Sequence, residues 1–233
     1  MKILKSLLVL ITMLVFNSLL LATQHYVVND RDVKVVDMTY HDYDQNDSGG
    51  VYNVYSLGSL ELVNDNFYNN KAGLCGGAIC STGKGLISNS TIFNLNTATQ
   101  GGAIYASRIA TINSTIFSSN TAKMYDIYHK GLGGAIYADY GTITISSSVF
   151  TSNTATDYGG AIYNDSGILT ISSTVFSSNT AQYGGAIYNG EKLNLIADTS
   201  NVEFTGNKAN GISNAIHDNG GEINLWASSV KLI

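Results

Sequence analysis

Proline is absent from this 233-residue chain, and charged residues make up only 12% of it. A β-sheet uses nearly every backbone N–H group as a donor, and proline has none, so its absence suits a chain that is mostly sheet. The low charge does not indicate disorder, because 44% of the residues are hydrophobic. We therefore expect a regular all-β fold.

Basic residues are also scarce. Arg31 and Arg108 are the only arginines, and the formal net charge is −5. A nucleic-acid-binding protein needs a basic stripe along the phosphate backbone, and none is present. The sequence predicts no nucleic-acid partner.

Cysteine occurs only at Cys75 and Cys80. If residues 76–79 are extended, at roughly 3.3 Å per residue the two thiols lie about 16 Å apart, too far for a disulfide. A disulfide would require a tight turn at Gly76 and Gly77. Two cysteines without a nearby histidine do not indicate a metal site, so we expect two free thiols.

The one long apolar run lies at the amino terminus, at residues 7–22, after Lys2 and Lys5. A basic start followed by a hydrophobic stretch is typical of a secretory signal. We assign residues 1–22 to a signal peptide and expect an exported protein at the cell surface, in the outer membrane or outside the cell. An uncleaved membrane anchor is the alternative, although the run is short for a spanning helix.

Internal repetition dominates the rest of the chain. Gly-Gly-Ala-Ile begins at Gly76, Gly101, Gly133, Gly159 and Gly184, with degenerate copies at Gly49 and Ser213. Phe-x-x-Asn-x-Ala alternates with it, beginning at Phe67, Phe93, Phe117, Phe150, Phe176 and Phe204. Between the motifs, segments such as 142–145 alternate β-branched and polar residues, which indicates strands.

A period of about 25 residues, with three short strands and three bends, predicts one coil of a parallel β-helix. We expect about seven coils over residues 49–233, ending in mid-coil, with an N-terminal cap at residues 23–48. The Phe and Ile side chains of successive coils should stack inside, and the Asn side chains should hydrogen-bond from coil to coil. The paired glycines should supply bends with positive φ.

The two alternating motifs resemble the polymorphic outer membrane protein repeat of chlamydial surface adhesins, over about residues 49–233. The resemblance implies an all-β, right-handed parallel β-helix that is displayed at the surface. It also implies adhesion to a protein or glycan of host or neighbouring cells. Family members usually continue into a carboxy-terminal membrane β-barrel, whereas this sequence stops at Ile233. Two interpretations stay open: the sequence is part of a longer chain, or the protein is released or anchored in another way.

Two features outside the repeat core are candidates for ligand binding. Residues that follow the motif Ile should face outward as an exposed ladder, at Tyr105, Tyr137, Tyr163 and Tyr188. Such a ladder would stack against sugar rings or a partner protein; packing between coils is the alternative. The segment 121–132 is about eight residues longer than its equivalents and contains Tyr125, Tyr128, His129 and Lys130. Loops that leave a regular scaffold often carry function, the alternative being a surface insertion without one.

Catalysis is the rival class, because pectate lyases and polygalacturonases also use parallel β-helices. The acids are scattered here, and only Asp139 and Asp165 occupy equivalent places on neighbouring coils. No base or groove accompanies them, so we predict no enzyme, no catalytic residues and no cofactor. We also predict no metal, because Asp42, Asp44, Asn46 and Asp47 match a calcium loop poorly. A structural filament component that associates end to end is the third alternative.

Overall fold

The computed structural model describes residues 25–46, 48–126, 128–197 and 201–226, and the backbone of residues 231–232. The predicted signal peptide and Asp47 lie outside the described residues. Within the described part the chain is all β, and no helix there could cross a membrane. Its strands form four sheets of eight strands each. The first seven coils contribute one strand to every sheet, and the eighth strand of the fourth sheet is an antiparallel partner of the strand just before it. The fold is a β-solenoid of about eight coils with a period of about 26 residues.

The strands of each sheet follow one another in chain order along the solenoid. The first sheet contains Tyr26–Asn29, Tyr52–Tyr55, Ile79–Ser81, Ile104–Ala106, Ile136–Ala138, Ile162–Asn164, Ile187–Asn189 and Ile216–Asp218. The second contains Asp32–Val36, Ser59–Val63, Gly85–Asn89, Ile109–Asn113, Thr142–Ser146, Ile168–Ser172, Lys192–Ile196 and Glu222–Trp226. The third contains Thr39–His41, Asn66–Tyr68, Ile92–Asn94, Ile116–Ser118, Val149–Thr151, Val175–Ser177, Glu203–Thr205 and Lys231–Leu232. The fourth contains Asp44–Gln45, Lys71–Ala72, Thr97–Ala98, Thr121–Ala122, Thr154–Ala155, Thr180–Ala181, Lys208–Ala209 and the antiparallel Ile212–Ser213.

The coils differ from the prediction in two respects. Each of the first seven coils has a fourth strand of only two residues, usually Thr-Ala, which is too short to show an alternating pattern. The solenoid also begins earlier than Gly49. Four strands between Tyr26 and Gln45, in the predicted cap segment, pair in parallel with the next coil and make one coil more than expected.

The predicted interior stacks are confirmed. The Phe side chains of the repeat are fully buried, and neighbouring rings are stacked with centroids 4.7 to 5.0 Å apart. The Ile residues of the first sheet are buried from Ile79 to Ile187. Removing one such Phe should cost about 3 to 5 kcal/mol, because its neighbours above and below cannot close the gap.

The Asn of each motif lies at the bend after the third sheet and is buried from Asn70 to Asn207. Its side chain bonds to the Asn of the next coil, as in the pair Asn153 and Asn179, where the Nδ2 to Oδ1 distance is 3.0 Å. The same Nδ2 group of Asn153 donates to the Phe117 carbonyl at 3.1 Å. Each buried amide therefore satisfies groups on neighbouring coils, and the predicted Asn ladder is confirmed.

The glycine pairs also have the predicted geometry. The first glycine has positive φ in each copy, for example +65° at Gly133. The second is a point of close approach, since a Cβ on Gly134 would lie 2.0 Å from the carbonyl oxygen of Gly160. Other corners have positive φ at non-glycine residues, mostly Ser, such as Ser114 and Ser147, and also Asn, Asp and Leu95. Of these residue types, Asn and Asp tolerate the left-handed region best.

Cys75 and Cys80 form a disulfide, so the prediction of two free thiols was wrong. Residues 76–79 are not extended, because the strand starts only at Ile79 and Gly76 has a φ of +59°. The tight turn brings the two Cα atoms to 5.7 Å, within the usual range for a bridge.

Candidate binding surface

The four predicted tyrosines form one row on the outer side of the first sheet. Strand register aligns Tyr105, Tyr137, Tyr163, Tyr188 and His217 on successive coils. Successive rings are stacked with centroids 5.0 to 5.2 Å apart. Each ring follows an inward-facing Ile or its equivalent, and alternation along the strand therefore turns it away from the core.

The row is less exposed than the sequence predicts. Tyr137 and Tyr188 are only 7% and 8% exposed, and Tyr105 and Tyr163 are half-buried. Ring-on-ring stacking covers the faces of the rings and leaves mainly edges and hydroxyls at the surface. Packing between coils therefore explains this row, and little ring face is left for a sugar.

A second row, which sequence reasoning missed, covers part of the first. Tyr158 and Tyr183 precede the Gly-Gly pairs and stack on each other at 5.3 Å. The Tyr158 ring also lies edge-on to Tyr188 at 4.9 Å, and Tyr183 lies 5.4 Å from His217. The signal in the sequence is the recurrence of Tyr immediately before Gly-Gly. We call the two rows together the tyrosine surface.

Two carboxylates bind the hydroxyl groups of this surface. The Tyr105 hydroxyl donates to Asp139 at 2.6 Å. Tyr137 and Tyr163 donate to the two oxygens of Asp165 at 3.3 and 3.1 Å. Asp139 and Asp165 are the pair of acids that the sequence placed at equivalent positions on neighbouring coils. In the structure both carboxylates accept hydrogen bonds from tyrosine hydroxyls.

Burial shifts the pKa values of several of these groups. Burial raises the pKa of the Tyr105, Tyr137 and Tyr163 phenols well above the ordinary value, so they stay neutral donors. Burial also raises the pKa of the Asp139 carboxyl, which the Tyr105 hydrogen bond partly opposes and the Asp165 charge reinforces. The arrangement supplies hydrogen bonds between neighbouring coils.

The inserted loop has its own compact structure between Thr121–Ala122 and Ile136–Ala138. Asp126 closes it, because its Oδ1 atom accepts hydrogen bonds from the backbone N–H groups of Tyr128 and His129, at 2.8 and 3.0 Å. The imidazole Nδ1 of His129 lies 2.8 Å from the same oxygen. These hydrogen bonds lower the pKa of Asp126, so the carboxylate that holds the turn stays ionised.

The loop is anchored to the neighbouring coil at both ends. On one side the Met124 N–H donates to Thr156 Oγ1 at 3.0 Å, and on the other the Gly131 N–H donates to Asp157 Oδ2 at 2.9 Å. Its exposed residues are therefore presented by a fixed base.

Lys130 joins the loop to the tyrosine surface. Its Nζ atom donates to the Tyr158 hydroxyl at 3.0 Å and lies 4.8 Å from the centroid of that ring. The hydrogen bond raises the pKa of Lys130, so it remains a cation. Tyr125 and Tyr128 are instead 76% and 83% exposed, the former lying edge-on to His129. Lys130 thus connects the loop to the second row of the tyrosine surface.

No metal site is visible in the described part of the chain, where no three His, Cys, Asp or Glu side chains cluster. Of the residues with calcium-loop spacing, Asp42 accepts a hydrogen bond from Asn69, and Asp44 lies 3.7 Å from the Lys71 ammonium.

Comparison with known families finds the Chlamydia polymorphic membrane protein repeat five times, at residues 66–82, 90–107, 114–139, 147–165 and 173–190. Comparisons with curated proteins and with solved structures give no match. The family is one of surface-associated outer membrane proteins and is not known for enzymes. Each matched segment runs from a strand of the third sheet, through the fourth, to the first-sheet strand of the next coil, and the loop lies inside the third segment. By sequence and by fold, the chain is a β-solenoid that carries five Chlamydia polymorphic membrane protein repeats between residues 66 and 190.

Proposed function

We propose that this protein is an exported adhesin, in which the solenoid holds the loop at 123–131 against a surface molecule of a host or neighbouring cell. The observation that carries the proposal is the pair Tyr125 and Tyr128, which are strongly exposed on a loop whose base is fixed. Exposed Tyr side chains are large, amphipathic and lose little rotamer freedom on binding, and they are frequent among interface hot spots.

Rigidity of the base supports the proposal further. Loops that must order on binding lose part of the interaction energy, whereas this loop is already held by Asp126, Thr156 and Asp157. The tyrosine surface beside it serves as the support on which Lys130 rests.

The test is binding of the full-length protein to immobilised cells, compared between two double variants. Tyr125→Ser with Tyr128→Ser removes the exposed rings of the loop, and at least tenfold weaker binding is expected. Tyr68→Ser with Ile92→Ser removes apolar side chains that are 41% and 40% exposed on the outer face of the third sheet, and this variant should bind like the parent. Circular dichroism of both variants checks that the solenoid is intact.

Absence of cell binding by the parent protein would overturn the proposal. Concentration-dependent association of the protein with itself, without cell binding, would instead favour a structural role in a filament or surface layer.

A further inference from the structure

A groove lies on the side of the solenoid where the turns connect strands of the first sheet to strands of the second. Its origin is a difference in turn length. The turn of Ser107 and Arg108 has two residues, whereas the aligned turns at 82–84 and 139–141 have three. The shorter turn is recessed between its neighbours and leaves a groove of about 490 Å³, within the usual range for small-ligand sites.

Two cations and several apolar side chains line the groove. Lys84 and Arg108 are exposed on neighbouring coils, and neither forms an ion pair among the described residues. The Tyr140 ring is 61% exposed beside them, unlike the stacked rings of the tyrosine surface. In a chain with a net charge of −5, two unpaired cations beside an open aromatic ring form a local positive site.

The same sequence of turn lengths recurs in the chain, with an acidic residue in the short turn. Gly190 and Glu191 form another two-residue turn, between the three-residue turns at 165–167 and 219–221. There Glu191 takes the place of Arg108 in the short turn, and Gly220 takes the place of Tyr140 in the turn that follows. A short turn between two longer ones can therefore form without an Arg and a Tyr, so turn length does not explain why Arg108 and Tyr140 are present.

We propose that the groove binds a sugar that bears a carboxylate, such as a uronic or sialic acid residue of a surface glycan. Arg108 binds a carboxylate through two parallel hydrogen bonds, and Lys84 adds a second positive charge. The free face of Tyr140 packs against the apolar face of the sugar ring, and the hydroxyls of Ser107 and Thr142 lie in the lining as donors and acceptors.

A peptide strand fits the groove less well than a sugar. Extended peptides add to a free sheet edge, whereas Ile109–Asn113 is paired on both sides, with Gly85–Asn89 and with Thr142–Ser146. No backbone donors or acceptors are therefore free along the groove strands for a peptide. The proposal rests on the proposed adhesive function, since it names a component of the surface to which the protein adheres.

Calorimetric titration of the full-length protein tests the proposal with three probes: hexagalacturonate, 3′-sialyllactose and carboxyl-reduced hexagalacturonate. We expect binding of at least one of the two acidic sugars, which also identifies the source of the carboxylate, and at least tenfold weaker binding of the neutral sugar. Arg108→Glu and Tyr140→Ser reproduce residues that the chain already uses in equivalent turns, and each should weaken binding at least tenfold. Lys208→Glu makes the same charge change on another sheet and should leave binding unchanged.

Equal binding of the neutral sugar, equal binding by the Arg108 and Tyr140 variants, or no binding of either acidic sugar would overturn the inference. These failures are distinguishable from failure of the adhesin proposal. The loop double variant should keep sugar binding while losing cell binding. If the parent protein binds cells but binds no acidic sugar, the groove proposal fails and the adhesin proposal stands.

Discussion

Asn96 and Asn120 meet inside the solenoid, where the Oδ1 atom of Asn120 accepts two hydrogen bonds from Asn96. One comes from the backbone N–H group and the other from the side-chain amide, and both are 3.0 Å long. The Asn120 amide in turn donates to the Phe93 carbonyl at 2.9 Å. One amide thus satisfies buried groups on the coil before it, and the pattern repeats along the ladder.

Asn120→Ala should lower the free energy of unfolding by about 2 to 4 kcal/mol, because it leaves the Asn96 N–H and the Phe93 carbonyl buried without these partners. The measurement is the midpoint of urea denaturation. Asn94→Ala is the matched control, since Asn94 lies at the end of a third-sheet strand and is half-buried. A change within about 0.5 kcal/mol is expected there. An equal loss of stability in the two variants would contradict the claim that the Asn ladder stabilises the solenoid.

Gly134→Ala should destabilise the solenoid strongly, because a Cβ atom there would lie 2.0 Å from the Gly160 carbonyl oxygen and the two coils would have to separate. Gly85→Ala should be neutral or slightly stabilising, since the nearest atom to its Cβ would be 3.9 Å away. Thermal unfolding of the two variants gives the comparison. If the Gly134→Ala variant had the same melting temperature as the parent, the coils would not be in close contact at the glycine pair.

Cys75 and Cys80 occupy the positions that Tyr158 and Tyr163 occupy on a later coil, as strand pairing shows. Replacing both cysteines by Ser should lower stability by about 2 kcal/mol, the chain-entropy value for so short a loop. Replacing both by Tyr places a ring at position 80 beside Tyr105, which extends the first row by one coil and should recover part of that loss. Urea denaturation without reductant measures the stability of both variants. A double Tyr variant that is less stable than the double Ser variant would refute the structural equivalence of the cysteine and tyrosine positions.

Asp65 gives a prediction about pH. Burial raises the pKa of this carboxyl, although the Met38 and Val63 N–H groups that donate to it oppose the shift. A carboxyl whose pKa is raised in the folded state binds its proton more tightly there, so its contribution is most favourable below about pH 4 and is lost as pH rises through the folded pKa. Later coils have Thr or Ser at this position, as at Thr91 and Ser148.

Asp65→Thr should therefore stabilise the protein more at pH 8 than at pH 4, as measured by urea denaturation at the two values. Glu61→Gln serves as the control for removing a surface charge from the same coil, because Glu61 pairs with Lys34 in solvent. A stabilisation by Asp65→Thr that is larger at pH 4 would contradict the assigned direction.

Much of the fold was predictable from sequence, because each repeat motif has one physical role that recurs in every coil. Phe117 must be inside for its neighbours Phe93 and Phe150 to stack, and Gly133 must supply positive φ. Repetition reveals such positions without any knowledge of the fold. The fourth strand was missed because Thr121–Ala122 is recognisable only through its hydrogen bonds to the coils on either side.

The candidate site was less predictable, because it depends on distances between coils. The disulfide depends on where the strand begins at Ile79, and the burial of Tyr137 depends on rings above and below it. The contact of Lys130 with Tyr158 depends on how the loop folds. The groove at Arg108 results from a difference of one residue between aligned turns, which becomes visible only when the strands are in register.

The most direct test of the adhesive account is hydroxyl-radical footprinting of the full-length protein, free and bound to cells. In the free protein Tyr125 and Tyr128 should be among the most reactive tyrosines, because their rings are the most exposed. On binding, both should be protected severalfold while Tyr68, on another face, keeps its reactivity. Unchanged reactivity of both loop tyrosines in the cell-bound protein would contradict the account.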